Sequence, residues 1–110
     1  MVKRTTPESL VVNACLRWLW LKGCFVYRNN TGGWKVPNSN RVIRYGFPGS
    51  ADIIGVTPSG RFIACECKAP NGYGLTDRQR HFQARIEENK GIYVVARSVD
   101  DLENKKELFT

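Results

Sequence analysis

The chain has 110 residues, of which 42% are apolar and 25% are charged, a composition typical of one soluble globular domain. Its longest apolar stretch, residues 10–21, is interrupted by Asn13 and Arg17 and is too short to cross a bilayer. No apolar export signal follows the N-terminus, so we expect a cytoplasmic protein. Four cysteines without a C-x-x-C pair, together with a single histidine, argue against structural zinc and indicate buried, reduced thiols.

The net charge of +7 is unevenly distributed along the chain. Residues 1–76 contain ten basic and three acidic residues, whereas residues 77–110 contain seven of each. The basic part would attract a polyanion such as nucleic acid, although a membrane surface or an acidic protein requires the same charge. The three acids in this basic part are Glu8, Asp52 and Glu66.

The first predicted helix follows Thr5 or Thr6, either of which can cap it, and Pro7 and Glu8 suit its first turn. It ends at Lys22-Gly23, and apolar residues on most of its sides, Trp18 and Trp20 included, predict heavy burial. Turn-forming residues then separate short predicted strands, at residues 24–28, 34–36 and 41–45. A glycine-proline loop precedes two further β-rich runs, at residues 51–56 and 61–68.

The second half of the sequence predicts a helix, a strand and a short helix. Thr76 and Gln79 form a T-x-x-Q capping box that opens a helix from residue 76 to about 90, with Phe82 and Ile86 on one face. An apolar strand at residues 92–96 and a polar helix opened by Ser98 and ending near residue 108 follow. The order predicts a single α/β (α+β) domain over residues 1–110, with helices flanking a mixed sheet.

The turn between the two β-rich runs sets the register of a hairpin. Pro58-Ser59 suits a type I turn and Gly60 the left-handed position of a bulge. Such a three-residue loop pairs Thr57 with Arg61 and places Asp52 opposite Glu66; a two-residue turn would place Asp52 opposite Cys65 instead. Lys68 then emerges on the face that carries the two acids.

Opposed carboxylates destabilise a sheet, and apolar neighbours increase that cost. A divalent cation between them would convert repulsion into ligation, and hard oxygen ligands favour Mg²⁺ or Mn²⁺. Lys68 beside such a site could position a phosphate oxygen, help to activate a water, and stabilise transition-state charge. This set suits hydrolysis of a phosphodiester.

Asp52 followed by Glu66-Cys67-Lys68 after a hairpin resembles the PD-(D/E)xK nuclease signature. A wider ordered set resembles the virus-type replication-repair nuclease (VRR-NUC) domain over about residues 6–97. Its members are Glu8, Gly46-Phe47-Pro48-Gly49-Ser50-Ala51-Asp52, Glu66-Cys67-Lys68 and Leu75-Thr76-Asp77-Arg78-Gln79. The chain departs from the strict P-D pair, because Ala51 and not a proline precedes Asp52. Pro48 lies four positions before Asp52.

The resemblance implies a restriction-endonuclease-like core in the order helix, strands, helix, strand. It implies that Asp52 and Glu66 bind Mg²⁺ or Mn²⁺, assisted by the backbone carbonyl of Cys67, and that Lys68 is the catalytic lysine. Glu8 would bind metal directly or through water, and Gln79 would support the site or the phosphate. A first-turn helix acid and a capping partner are the simpler interpretations of Glu8 and Gln79.

The resemblance also implies a function in DNA repair. Stand-alone members of the family resemble Holliday-junction resolvases, so we expect a homodimeric endonuclease for branched DNA with no organic cofactor and no membrane partner, acting in a bacterial or phage-infected cell. A monomeric flap or fork nuclease, a non-catalytic DNA-binding module and a basic RNA-binding protein are the alternatives. Predicted DNA contacts are Arg28, Lys35, Arg41, Arg44 and Tyr73.

Overall fold

The computed structural model describes residues 6–30 and 32–110. Its helices are α1 (Pro7–Leu21), α2 (Asp77–Glu88) and α3 (Val99–Glu103), followed by a 3-10 turn (Lys106–Leu108). Its strands are β1 (Phe25–Arg28), β2 (Gly32–Lys35), β3 (Val42–Tyr45), β4 (Ile53–Val56), β5 (Phe62–Cys67) and β6 (Ile92–Ala96). None of the described helices is long and apolar enough to cross a bilayer.

The first helix begins as the sequence predicts. The side chain of Thr6 caps it by accepting a hydrogen bond of 3.1 Å from the Ser9 N–H, and Gly23 follows its end with a φ of +93°. The alternative cap Thr5 lies outside the described residues. The predicted heavy burial is wrong, since Trp20 and Leu21 remain 54% and 77% exposed. Only one side of α1 packs on the sheet, so apolar residues on its other side stay in solvent.

The central sheet has the strand order β1-β4-β5-β6. Strands β1, β4 and β5 pair antiparallel, whereas β5 and β6 pair parallel through the α2 crossover. The predicted mixed sheet with flanking helices is therefore confirmed, and so is the hairpin register, because Ile53 pairs with Cys65 and Thr57 N–H donates to the Arg61 carbonyl at 2.9 Å. Gly60 adopts the expected left-handed conformation at φ +89°.

A separate two-stranded sheet, β2 with β3, forms an arm whose residues are all exposed. The sequence predicts a turn through Gly33 and a strand over residues 34–36, but Gly32 already pairs with Tyr45. Pairing with β3 therefore overrides the turn preference of the two glycines. Part of the predicted turn, Thr31, lies outside the described residues.

The two faces of the central sheet are covered unequally. One face packs against α1 in the main core, which includes Leu19, Val26, Ile53 and Ile63. The other face receives Phe82 and Ile86 of α2 over a smaller cluster around Ala64 and Tyr93. Helix α2 covers only part of that face. The half formed by β1 and by the turn end of the β4–β5 hairpin remains exposed. Its exposed side chains are Phe25, Tyr27, Val56 and Phe62.

The C-terminal segment closes the α1 side of the molecule. The predicted polar helix from residue 98 to about 108 is divided into α3 and the 3-10 turn. Phe109 is buried and meets Trp18 edge-on with ring centroids 5.5 Å apart. Trp18 is thus half-buried and packs against the core, whereas Trp20, also predicted to lie in the core, is exposed.

Candidate active site

The two carboxylates predicted to meet do so at one end of the β4–β5 hairpin. Asp52 lies one residue beyond the last ladder pair, and its Oδ2 accepts a hydrogen bond of 2.8 Å from the Cys67 N–H. Its own carbonyl accepts from the Asn29 N–H at 2.7 Å. The main-chain N–H groups of Cys67 and Asn29 therefore hold Asp52 in place. Its carboxylate lies on the same face of the sheet as Glu66.

The loop before Asp52 is held by Asn29, a residue that the sequence reasoning missed. The Asn29 side-chain amide donates to Ser50 Oγ and, at 3.1 Å, to the Ala51 carbonyl. Gly49 in the same loop has φ +83°, and a Cβ there would lie 2.5 Å from the Arg78 carbonyl oxygen. The glycine therefore allows this loop to approach the start of α2 closely, which brings Asp52 toward that helix.

Glu66 is the buried carboxylate of the site, with 3% of its surface exposed. Its Oε1 accepts a hydrogen bond of 2.9 Å from Gln79 Nε2, whereas Oε2 is buried and has no hydrogen-bond partner among the described residues. Burial, followed by the charge of Asp52, raises the pKa of Glu66 to about 8, and the charge of Lys68 opposes this rise. Near neutral pH the free protein therefore holds a proton at this position.

Lys68 is tied to Glu66 through Gln79. Lys68 Nζ donates to Gln79 Oε1 at 3.0 Å and lies 3.8 Å from Glu66 Oε1. The same Gln79 oxygen accepts from the Thr76 N–H at 2.9 Å, and Thr76 Oγ1 accepts from the Gln79 N–H at 3.2 Å. The capping box is confirmed, and Gln79 serves at once as helix cap and as a link between the lysine and the buried acid.

Glu8 lies on the surface of α1, whereas Cys67 lies on β5 with its main chain beside Asp52. Glu8 is exposed in the first turn of α1, and its charge contributes to the raised pKa of Glu66. The Cys67 thiol is fully buried on the opposite side of the strand, as predicted, whereas its N–H donates to Asp52. The main chain of Cys67 therefore lies at the site although its side chain does not.

The predicted DNA-contacting residues are exposed but spread over several elements. Arg28 ends β1, whereas Lys35 and Arg44 lie on the arm and Arg41 in its connecting turn. Arg44 lines a cavity of about 270 Å³ together with Arg78, which belongs to the motif at the start of α2 but is not among the predicted DNA contacts. Glycine backbone of the arm and of the loop before Asp52 completes its wall, through Gly32, Gly33, Gly46 and Gly49.

Tyr73 is 95% exposed in the loop that follows Lys68. Arg97 fixes that loop by donating to the carbonyls of Ala69 at 2.7 Å, Gly72 at 3.0 Å and Tyr73 at 3.2 Å. No local motif marks Arg97 in the sequence, because its partners are carbonyl groups more than twenty residues away. The backbone of Tyr73 is held in place while its ring extends into solvent.

Tyr93 is a further buried polar group on the Glu66 side of the sheet. Its hydroxyl has no hydrogen-bond partner within the described part of the chain. Burial and the charge of Glu66 raise the pKa of Tyr93, so the phenol stays protonated. Glu66 Oε2 and the Tyr93 hydroxyl can therefore each form a further hydrogen bond at the site.

The chain gives no match to known protein-family models, to curated proteins or to solved structures. Two carboxylates, a lysine held by an amide and a basic cavity nearby form a set suited to binding a cation and a phosphate together.

Proposed function

We propose that the chain is a Mg²⁺- or Mn²⁺-dependent DNA endonuclease of the PD-(D/E)xK, VRR-NUC type that hydrolyses phosphodiester bonds in branched DNA, most of all four-way junctions. The observation that carries this proposal is the buried Glu66, whose Oε2 is unpartnered beside Asp52. A buried carboxyl group with an oxygen that lacks a hydrogen-bond partner raises the free energy of the folded state unless it is protonated or bound to a cation.

The donor set fits a hard divalent ion. Asp52 and Glu66 would hold it with the Cys67 carbonyl, and Glu8 would bind directly or through water. Asp52 already uses one oxygen for the Cys67 N–H, which fixes the orientation of its carboxylate. When bound, the metal supplies an acidified water and a polarised phosphate.

Lys68 provides the positive charge of the site. Because Nζ is held by Gln79 Oε1, the ammonium stays close to the carboxylates. In that position it binds a non-bridging oxygen of the scissile phosphate and stabilises the charge that develops during attack by water. Gln79 acts as a positioning residue, since its amide donates to Glu66 while its oxygen holds the lysine.

The basic surface supports DNA as the substrate. The net charge of +7 favours a polyanion, and Arg44 with Arg78 offers two guanidinium groups in one cavity beside the loop that carries Asp52. Arg28, Lys35 and Arg41 would contact backbone phosphates further along the strand, and Tyr73 would stack on a base or sugar. These contacts position the duplex and carry little sequence information.

Symmetric cutting of a four-way junction requires two sites related by a two-fold axis, so we propose a homodimer. The open half of the sheet is the surface we assign to the second copy, since Phe25 and Tyr27 are 63% and 54% exposed there. Strand β1 is also an edge of the sheet, where pairing with a second β1 is geometrically allowed.

Cleavage of a labelled four-way junction with Mg²⁺ or Mn²⁺ tests the proposal. We expect Lys68→Ala and Asp52→Asn to lower the cleavage rate about 10²- to 10⁴-fold while junction binding in EDTA persists. The matched surface variants Lys105→Ala and Asp100→Asn should cleave like wild type. Wild-type protein that binds junctions but never cuts would favour the non-catalytic module, and a monomer that prefers flaps would favour the flap nuclease.

A further inference from the structure

Three of the four cysteines converge in the core behind the candidate active site. The Sγ atoms of Cys15, Cys65 and Cys67 all lie within 4.8 Å of one another, and those of Cys65 and Cys67 are 3.9 Å apart. All three residues are fully buried. They are far apart in sequence, since Cys15 belongs to α1 and the other two to β5. We refer to these three residues as the thiol cluster.

The cluster follows from two simple periodicities. Alternate residues of a strand share one face, so Cys65 and Cys67 point toward α1 while Glu66 points away. Cys15 lies on the buried side of α1 with Val12 and Leu19, which faces the same strand. The thiols therefore belong to the α1 side of the sheet, opposite the carboxylates of the proposed nuclease site.

The spacing of the sulfurs matches that of a metal thiolate. A soft ion bound at about 2.3 Å by three sulfurs in a plane holds those sulfurs about 4.0 Å apart. The cluster is within reach of that geometry, since its closest pair is already at 3.9 Å and the remaining separations do not exceed 4.8 Å. No pair of sulfurs has to close by more than about 0.8 Å to reach the spacing of about 4.0 Å.

We propose that Cys15, Cys65 and Cys67 form a three-thiolate site for a soft monovalent cation, Cu(I). Thiolate ligands select soft ions, and Mg²⁺ and Mn²⁺ prefer oxygen, so the two proposed sites do not compete for one metal. Structural zinc takes four ligands, whereas the group contains only three among the described residues. A three-sulfur site therefore favours Cu(I) over Zn²⁺.

Binding requires no change of oxidation state. Three S–H bonds are lost, three Cu–S bonds form, and the protons pass to solvent while the metal remains Cu(I). The bound ion would connect α1 to β5, that is, the helix that carries Glu8 to the strand that carries Glu66. We therefore expect Cu(I) to stabilise the folded chain.

The test is anaerobic titration of the whole chain with Cu(I), in competition with a colorimetric Cu(I) chelator. We expect one Cu(I) per chain, ultraviolet thiolate-to-copper absorption and a higher melting temperature. Cys15→Ala and Cys65→Ala should each weaken Cu(I) binding about 100-fold or more. Cys24→Ala is the matched control, because Cys24 is equally buried but its thiol donates to the Phe109 carbonyl at 3.7 Å, outside the cluster.

Circular dichroism of each metal-free variant shows whether it folds, and a variant that fails is replaced by the corresponding serine substitution. Equal Cu(I) binding by wild type and the folded Cys15 and Cys65 variants would overturn the proposal, as would no binding by wild type. Tighter uptake of Zn²⁺ than of Cu(I) would overturn the three-ligand assignment. None of these readouts depends on cleavage of DNA, so nuclease activity can fail while the copper site stands, or the reverse.

Discussion

The two faces of strand β5 carry different chemistry. Toward α2 the strand presents Glu66, followed by Lys68 just beyond its end, in a set of charged and amide groups. Toward α1 it presents Cys65 and Cys67 in the apolar main core. One strand thus presents a carboxylate on one side and thiols on the other, because successive side chains alternate. Substitutions on the two faces should therefore change different properties.

The largest effect is expected at the acidic face. Glu66→Gln removes a proposed metal ligand while keeping the size of the side chain and its hydrogen bond with Gln79. We expect junction cleavage to fall about 10³-fold and thermal stabilisation by Mn²⁺ to disappear. Melting curves with and without Mn²⁺, together with a cleavage assay, measure both. A Glu66→Gln variant that keeps wild-type cleavage would remove Glu66 from the site.

The second effect is a pH dependence of Mn²⁺ binding at the acidic face. Because the pKa of Glu66 is raised to about 8, a proton must leave before a cation binds. We expect apparent Mn²⁺ affinity to fall about tenfold for each pH unit below 8 and to level off above it. Calorimetric titrations between pH 6 and 9 measure this slope, and a flat profile would contradict the burial of the carboxylate.

The same raised pKa affects the metal-free fold. Between the ordinary pKa of 4.5 and about 8, the folded state holds a proton on Glu66 that the unfolded state has lost. Stability should therefore decrease as pH rises through this window, by roughly 1 kcal/mol per unit. Glu66→Gln removes the slope and should melt higher than wild type at pH 8 in EDTA. Denaturant melts of both proteins at pH 5 and pH 8 make the comparison.

A smaller effect is expected for Gln79, which touches the lysine and the acid without taking part in bond changes. Gln79→Ala releases Lys68 and should lower kcat about 10- to 100-fold, with KM for the junction little changed. Gln83→Ala on the same helix is the control and should cleave normally. If the two glutamine variants behaved alike, the position of Lys68 would not depend on the amide.

The smallest effect on cleavage is expected at the sulfur face. In copper-free buffer, Cys65→Ala removes one fully buried sulfur and should cost about 1 kcal/mol of folding free energy. The Mg²⁺-dependent cleavage rate at saturating metal should stay within about twofold of wild type. A large loss of cleavage without unfolding would show that the two faces of β5 are coupled.

Much of the architecture could be predicted because it depends on local chemistry. Thr6 and Pro7 start α1, Gly60 closes the hairpin, and Thr76 with Gln79 caps α2. The turn type also fixed the register, which brought Asp52 close to Glu66. The arm was misjudged because Gly32 and Gly33 favour a turn until a partner strand pairs with them.

Contacts between distant segments could not be predicted in the same way. Asn29, Arg78 and Arg97 organise the loops around the site through bonds or packing to residues that no local pattern connects. Trp20 and Leu21 looked like core residues, yet they are exposed because only one side of α1 meets the sheet. Helix periodicity shows which residues share a face but not how much of that helix a neighbour covers.

By itself, the sequence determined the order of elements, the hairpin register and the set of acids and lysine at its end, since turn geometry and capping act over a few residues. Only the tertiary structure decided that Glu66 is buried with an unpartnered oxygen, that Gln79 joins it to Lys68, and that Cys15 meets Cys65 and Cys67. Burial and sulfur spacing depend on how whole elements pack, and packing depends on every surface at once.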